Sequence, residues 1–183
     1  MATALETAVV LVVEPRGGPL TAIKAQFNAP SIASGMPVHL TLLYPFVAPE
    51  ELDQEAVARL ADVARDHAPP AFTLSNISTF PGGFVCLDPE PAEPVRALQR
   101  AIWAAFPECP PYAGDVTDPH PHVTVGKAVP EETVGELVAT ISERVQPLVP
   151  VSCAVEKLTV AIRDDAGAWT LAHQLTLGAG AAL

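Results

Sequence analysis

The sequence predicts an α+β fold in which one unit of strands and helices occurs twice, giving two lobes around a central cleft. Three observations support this. Short β-branched runs alternate with amphipathic helical stretches along all 183 residues. Prolines and glycines separate these runs. Two strand-like runs carry the same pattern, a histidine followed two residues later by a threonine, once at His39 and again at His122. We therefore expect one bilobal domain over residues 1–183, with two mainly antiparallel sheets facing the cleft, helices outside, and halves of about 1–82 and 83–183.

Five elements are predicted in the first half. Strands are indicated by β-branched runs that stop at turn residues, such as Pro15 and the Pro81-Gly82-Gly83 segment. Glu50 and Glu51 suit the first turn of an amphipathic helix. In chain order, the elements are a strand over 8–13, a helix over 20–28, a strand over 38–43, a helix over 49–67 and a strand over 72–80.

The second half repeats this alternation. A short apolar run precedes a helix whose apolar stripe ends at Phe106, before Pro107. Pro130 suits the first turn of the next helix, and a turn at 164–167 joins two final strands into a hairpin. The elements are a strand over 84–87, a helix over about 95–106, a strand over 121–126, a helix over about 130–145, and strands over 151–162 and 169–177.

The charge of the chain restricts its partners. Ten basic residues against twenty-one acidic ones give a net charge of −11, which repels a polyanion. Long nucleic acid is therefore not an expected partner, whereas one small phosphorylated ligand needs only a few local donors. The three cysteines lack metal-type spacing, and the apolar run 8–13 is too short to cross a bilayer. We expect a cytoplasmic monomer with no cofactor and no membrane contact.

The two His-x-Thr pairs carry the chemistry. In each strand, the histidine and the threonine point to the same face, because side chains alternate with a period of two. In-line displacement at phosphorus puts the entering and leaving oxygens on opposite sides, so an acid and a base must face each other. His39 and His122 are the candidates for these two roles. The hydroxyls of Thr41 and Thr124 are the candidates to hold the phosphoryl oxygens.

These residues resemble the two-histidine (2H) phosphoesterase superfamily, and within it the 2′-5′ RNA ligase-like proteins and RNA 2′,3′-cyclic phosphodiesterases. Residues 39–46 resemble the first motif of that family, residues 121–126 resemble the second, and the loop 110–114 is similar to a segment that precedes the second motif in some members. The resemblance covers nearly the whole chain. It implies a bilobal α+β fold and metal-independent opening of a 2′,3′-cyclic phosphate on a nucleotide or an RNA 3′ end, with release of a 2′-phosphomonoester in the ligase-like members.

Other residues and other functions remain open at this stage. The side chains expected to contact the substrate are Tyr44, Phe46, Tyr112, Lys127 and Arg163. A zinc site built from His120 with nearby aspartates is a less favoured alternative. Two further functions would use the same cleft: a nucleotide-binding module without catalysis, and an RNA-end ligase. The sequence does not assign the base and acid roles between the two histidines.

Overall fold

The structure, a computed structural model, describes residues 5–178 and 180. It contains a mixture of helices and strands, with a single curled antiparallel sheet. The strands are β1 (Glu6–Glu14), β2 (Val38–Leu43), β3 (Ala71–Phe80), β4 (Phe84–Glu90), β5 (Val123–Lys127), β6 (Val151–Ala154), β7 (Lys157–Arg163) and β8 (Trp169–Thr176). The helices are α1 (Pro19–Phe27), α2 (Ala29–Ala33), α3 (Gln54–Asp66), α4 (Glu93–Ala105) and α5 (Val134–Val145).

The sheet has the strand order β6-β3-β4-β5-β2-β1-β7-β8. Strand β2, which carries His39, and strand β5, which begins directly after His122, are neighbours at its centre and form a single backbone pair, Leu40 with Val123. The expectation of two separate sheets is not confirmed, because this central pair joins the two flanks into one sheet. Each flank contains strands from both predicted halves, since β3 pairs with β4 and β6 while β7 pairs with β1 and β8. The division of the chain near residue 82 stays a prediction.

Helices pack against both flanks of the sheet. Helices α1 and α5 contact β5, whereas α4 contacts β2 and α3 contacts α4 and β8. The apolar residues between each histidine and its threonine, Leu40 and Val123, are fully buried in the core, as are Leu98 and Ile102 of α4. These residues belong to one apolar core, and its burial stabilises the packing around the two central strands.

Three elements differ from the sequence prediction. The strand predicted over 151–162 is two strands, β6 on β3 and β7 on β1, at opposite sides of the sheet. The helix predicted over 49–67 begins at Gln54, because the Asp53 carboxylate caps it by accepting from the Ala56 amide at 2.9 Å. The short helix α2 was not predicted, since its five residues carry no apolar period. Over the described part of the chain, no helix has the length and apolar character needed to cross a bilayer.

Candidate active site

The structure brings the two predicted histidines and the two predicted threonines onto one face of the sheet. Strands β2 and β5 run antiparallel with Leu40 opposite Val123. The flanking residues then face each other across the strands, His39 towards Thr124 and Thr41 towards His122. Because Leu40 and Val123 point into the core, the four polar side chains point the other way. Two histidines and two threonines therefore alternate around one small patch.

Each imidazole is held by the backbone in the same way. The Nδ1 of His39 lies 2.8 Å from the Pro37 carbonyl oxygen, and the Nδ1 of His122 lies 2.7 Å from the His120 carbonyl oxygen. A carbonyl only accepts hydrogen bonds, so each Nδ1 carries the proton and donates. The Nε2 of each ring is thus the atom left to accept or deliver a proton.

Two adjacent cavities open at this patch, and Thr41 lines both of them. The cavity on the His122 side has a volume of about 430 Å³ and is lined by Phe80, Phe84 and Tyr112 among others. The cavity on the His39 side is smaller, about 200 Å³. Its walls include Ala8, Ser31, Ser34, Met36, Tyr44 and Trp169. The two histidines therefore lie beside different cavities, His122 beside the larger one and His39 beside the smaller one.

The surroundings of the two imidazoles also shift their pKa values. Burial, followed by the positive charge of Lys24, lowers the pKa of His39 to about 4. Burial also lowers the pKa of His122, but the Asp88 carboxylate nearby opposes this shift. Both imidazoles are thus shifted towards their neutral forms, and at His122 the bond to the His120 carbonyl and the Asp88 carboxylate only partly oppose this shift.

Side chains from α4 and β4 support the central strands where the β2–β5 pairing stops. Gln99 Nε2 donates to the Thr41 carbonyl at 3.2 Å, and Trp103 Nε1 donates to the Leu42 carbonyl at 2.9 Å. The Cys86 sulfur lies 3.5 Å from the Thr124 hydroxyl. The two bonds from α4 therefore give two backbone carbonyls of β2 a side-chain donor.

A third histidine and a phenylalanine surround His122. The Phe80 ring packs over His122 with 4.4 Å between ring centres and also stacks on His120 at 6.2 Å. His120 Nδ1 accepts from Arg96 at 3.3 Å, and its Nε2 lies 3.6 Å from Asp88. His120 is thus bound to charged neighbours at the rim of the larger cavity. No group of three or more His, Cys, Asp or Glu side chains able to hold a metal ion occurs among residues 5–178 and 180.

Of the five predicted substrate contacts, two line the cavities. Tyr44 lies on the His39 side, where its hydroxyl donates to Glu6 at 2.8 Å, and Tyr112 lies on the His122 side. The two tyrosines meet edge to face at 6.5 Å between ring centres. Burial and the bond to Glu6 raise the pKa of Tyr44 to about 12, so its hydroxyl stays a donor.

The other three predicted contacts lie elsewhere. Phe46 does not reach either cavity, because it is buried in the core against Phe106, with 4.8 Å between ring centres. Arg163 forms an ion pair with Glu6 at 3.1 Å. Lys127 places its ammonium 4.8 Å from the centre of the Phe84 ring, which lines the larger cavity.

Sequence reasoning missed two groups near the histidines, Lys24 and Phe80. Phe80 ends a predicted strand directly before a Pro-Gly-Gly turn, a position that ordinarily indicates packing at a strand end. Lys24 lies in a helical stretch whose neighbours on the same side are apolar, Leu20 and Ile23. A lysine on the buried side of a short helix is the signal that would have drawn attention to it.

A protein-family model and two related proteins each match most of this chain. The model of the 2′-5′ RNA ligase superfamily matches residues 12–167. A Bacillus licheniformis protein with a provisional phosphoesterase name is 24% identical over 146 residues, which is 79% of this chain and 82% of the relative. A Bacillus pumilus protein with a similar name is 25% identical over 145 residues, covering 78% of this chain and 81% of the relative.

Solved structures share the fold at lower sequence identity. TT0787 of Thermus thermophilus has a TM-score of 0.57 and 18% identity, covering 94% of this chain and 98% of the other. Escherichia coli LigT complexed with 3′-AMP has a TM-score of 0.54 and 16% identity, covering 96% of this chain and 99% of the other. LigT complexed with NADP⁺ has a TM-score of 0.55 and 17% identity, covering 95% and 98%.

Proposed function

Because this chain belongs to the 2′-5′ RNA ligase superfamily, we propose that it is a phosphodiesterase that opens a 2′,3′-cyclic phosphate on a nucleotide or a short RNA end to a 2′-phosphomonoester. The single observation that carries the proposal is the patch of His39, Thr41, His122 and Thr124, with both Nδ1 atoms tied to carbonyls and both Nε2 atoms left for the substrate. Two imidazoles provide the base and the acid for this hydrolysis, so the reaction needs no metal ion.

The proposed reaction divides the work between the two histidines. Neutral His39 removes a proton from a water molecule through Nε2, and the water oxygen attacks phosphorus. The bond from phosphorus to the ribose 3′ oxygen breaks, and His122 delivers its Nε2 proton to that oxygen. The products are a 3′ hydroxyl and a 2′-phosphate. Hydroxyl donors at Thr41 and Thr124 stabilise the charge that grows on the equatorial oxygens.

The two cavities suit the two sides of this reaction. The leaving oxygen belongs to the ribose, so the nucleoside must lie on the side of the acid, His122. That side has the cavity of about 430 Å³ with aromatic walls, on which a base stacks favourably. The attacking water enters on the His39 side, where the cavity is about 200 Å³. Base stacking of this kind contributes about 1–3 kcal/mol.

Charge limits the size of the substrate. The net charge of −11 opposes a long polyanion, whereas a single cyclic phosphate meets only the hydroxyl and imidazole donors of the patch. Small nucleotides are also the ligands named for LigT, 3′-AMP and NADP⁺. These observations favour a mononucleotide or a short RNA end as the substrate.

The test is incubation with 2′,3′-cyclic AMP and 2′,3′-cyclic CMP, followed by phosphorus NMR to distinguish 2′-phosphate from 3′-phosphate. We expect the 2′ product, with unchanged turnover in EDTA. His39→Ala and His122→Ala should each reduce kcat by at least about 10²-fold, the usual contribution of a general acid or base. His173→Ala, on the edge strand β8, is the matched control.

Each contrary result would indicate a different function or mechanism for this protein. Nucleotide binding without turnover would indicate a binding module, and joining of RNA ends without hydrolysis would indicate a ligase. Loss of activity in EDTA with recovery in zinc would replace the two-histidine mechanism by a metal-dependent one.

A further inference from the structure

The two histidines of the site are held by the backbone to different degrees. His39 lies within β2 and pairs with Val12 of the neighbouring strand β1. Strand β5 begins only at Val123, so His122 belongs to the irregular segment 118–122 that precedes this strand. Since β2 and β5 share one backbone pair, the sheet fixes the position of His122 less firmly than that of His39. Other contacts must therefore hold the second imidazole in place.

The ring of His122 is oriented by its own segment. Its Nδ1 donates to the His120 carbonyl at 2.7 Å. This bond sets the plane of the imidazole and therefore the direction of Nε2, the atom that carries the chemistry. Because the acceptor lies only two residues away in the same irregular segment, it orients the ring only as firmly as that segment is held. The direction of Nε2 thus depends on what fixes His120.

Arg96 of helix α4 binds this segment at two points. One guanidinium nitrogen donates to the Asp118 carboxylate at 2.9 Å, and a second donates to Nδ1 of His120 at 3.3 Å. A guanidinium is planar and its donors have a fixed fork geometry, so the two bonds together fix both acceptors relative to α4. On its other side, Nε2 of His120 lies 3.6 Å from the Asp88 carboxylate of β4. His120 is thus held between a helix and a strand.

The same helix also holds the other histidine strand. Gln99 donates to the Thr41 carbonyl at 3.2 Å, and Trp103 donates to the Leu42 carbonyl at 2.9 Å, both in β2. Arg96 precedes Gln99 by three residues and Trp103 by seven, a spacing that places all three on one side of a helix. Helix α4 therefore connects β2 to the segment before β5 through three side-chain donors.

We propose that Arg96 is a positioning residue, whose fork fixes segment 118–122 on α4 and thereby keeps Nε2 of His122 where the acid must deliver its proton. The inference rests on the proposed function for its consequence in catalysis, but the orientation of the ring exists in the free protein. The Asp118 side chain is 76% exposed, and ion pairs at such positions contribute little to stability. The expected effect of Arg96 is therefore on the geometry of the site and not on the stability of the fold.

The first experiment compares the imidazoles of Arg96→Met and the wild-type protein by ¹⁵N NMR at about pH 7.5 without substrate. Burial lowers the pKa of His122, so its ring is neutral at this pH and carries one proton, whose nitrogen the ¹⁵N shifts identify. The signals of His122 are assigned through their absence in His122→Gln. We expect this proton on Nδ1 in the wild type and shared between both nitrogens in Arg96→Met. His39, bound to the Pro37 carbonyl, should keep its proton on Nδ1 in both proteins.

The second experiment measures turnover of 2′,3′-cyclic AMP. Arg96→Met should lower kcat by about 10- to 100-fold, because a misplacement of about 1 Å costs up to about 10²-fold. Arg96→Lys keeps the charge but loses the fork, so it should show the same change in the proton position of His122 and most of the loss in kcat. Arg100→Met is the matched control, since Arg100 lies one turn later on α4 and forms an exposed ion pair with Glu93. This control should match the wild type in both measurements.

Three results would overturn the inference. The first is an unchanged proton position on His122 in Arg96→Met, and the second is full kcat in Arg96→Lys, because the charge alone would then be sufficient. The third is a raised KM with unchanged kcat in Arg96→Met, since Arg96 would then act only on the cavity wall through His120. Failure of both Arg96 variants to fold would also overturn it, because Arg96 would then be a structural residue. A wild-type protein without turnover would contradict the proposed function, while the NMR comparison would still decide whether Arg96 orients His122.

Discussion

The lowered pKa of His39 makes the folded protein less stable in acid, and replacing this residue by glutamine should remove that effect. The pKa of His39 is about 4 in the folded protein, against about 6.5 in an unfolded chain. Between these values the unfolded state binds more protons, so the free energy of unfolding falls as the pH falls from about 6.5 to about 4. At 1.36 kcal/mol per pH unit, the contribution of His39 to this loss is about 3 kcal/mol, and about 2–3 kcal/mol is already lost at pH 4.5.

Urea unfolding of wild-type protein and His39→Gln, followed by tryptophan fluorescence at pH 7.5 and pH 4.5, measures this contribution. The glutamine variant is expected to gain about 2–3 kcal/mol relative to the wild type on going to pH 4.5. Any cost of losing the bond to the Pro37 carbonyl is common to both pH values and cancels in the comparison. If the two proteins lost equal stability between these pH values, His39 would not be held neutral by its surroundings, and its assignment as the base would lose its support.

Three further predictions follow from the same geometry. Since burial lowers the pKa of both His39 and His122, the proposed mechanism predicts that kcat/KM is highest below about pH 6.5 and declines as the acid loses its proton; a maximum above pH 8 would contradict this. Thr41→Val and Thr124→Val should each lower kcat by about 10²- to 10³-fold while the exposed Thr140→Val leaves it unchanged, and equal rates in all three variants would remove the hydroxyls from the mechanism. Gly126→Ala should cost about 1–3 kcal/mol in thermal unfolding, because its Cβ would overlap a side chain of α5, whereas Gly135→Ala, in a helix with open space, should gain about 0.5–1 kcal/mol; a Gly126→Ala protein as stable as the wild type would show that this packing is looser than the structure indicates.

The features that the sequence could predict are local ones. A period of two places His39 and Thr41 on one face of a strand whatever the strand pairs with, and the same holds for His122 and Thr124. The apolar stripe of α4 and the turn before β4 also depend only on near neighbours in the chain. These rules were enough to identify the two motifs and most of the helices and strands.

The features that could not be predicted depend on long-range pairing. The break within residues 151–162 carries the charged pair Glu156 and Lys157, but the sequence alone does not show that the two sides of this pair lie on different strand partners. The Phe46 side chain lies in the core, where its ring packs edge to face against Phe106, a residue 60 positions later in the sequence. The burial of Lys24 and the hydrogen bond from Gln99 to β2 likewise follow from how the helices pack on the central strands.

The most direct test of the central claim is a crystal structure of the protein with a uridine–vanadate complex, which imitates the five-coordinate phosphorus of the transition state. We expect vanadium to lie between the two imidazoles, with Nε2 of His39 and Nε2 of His122 each about 2.6–3.2 Å from one of the two apical oxygens and the uracil in the aromatic cavity beside Phe80. A vanadate that contacts only one of these histidines, or that binds in the separate cavity of about 930 Å³ lined by Lys157 and Gln174, would contradict the two-histidine account.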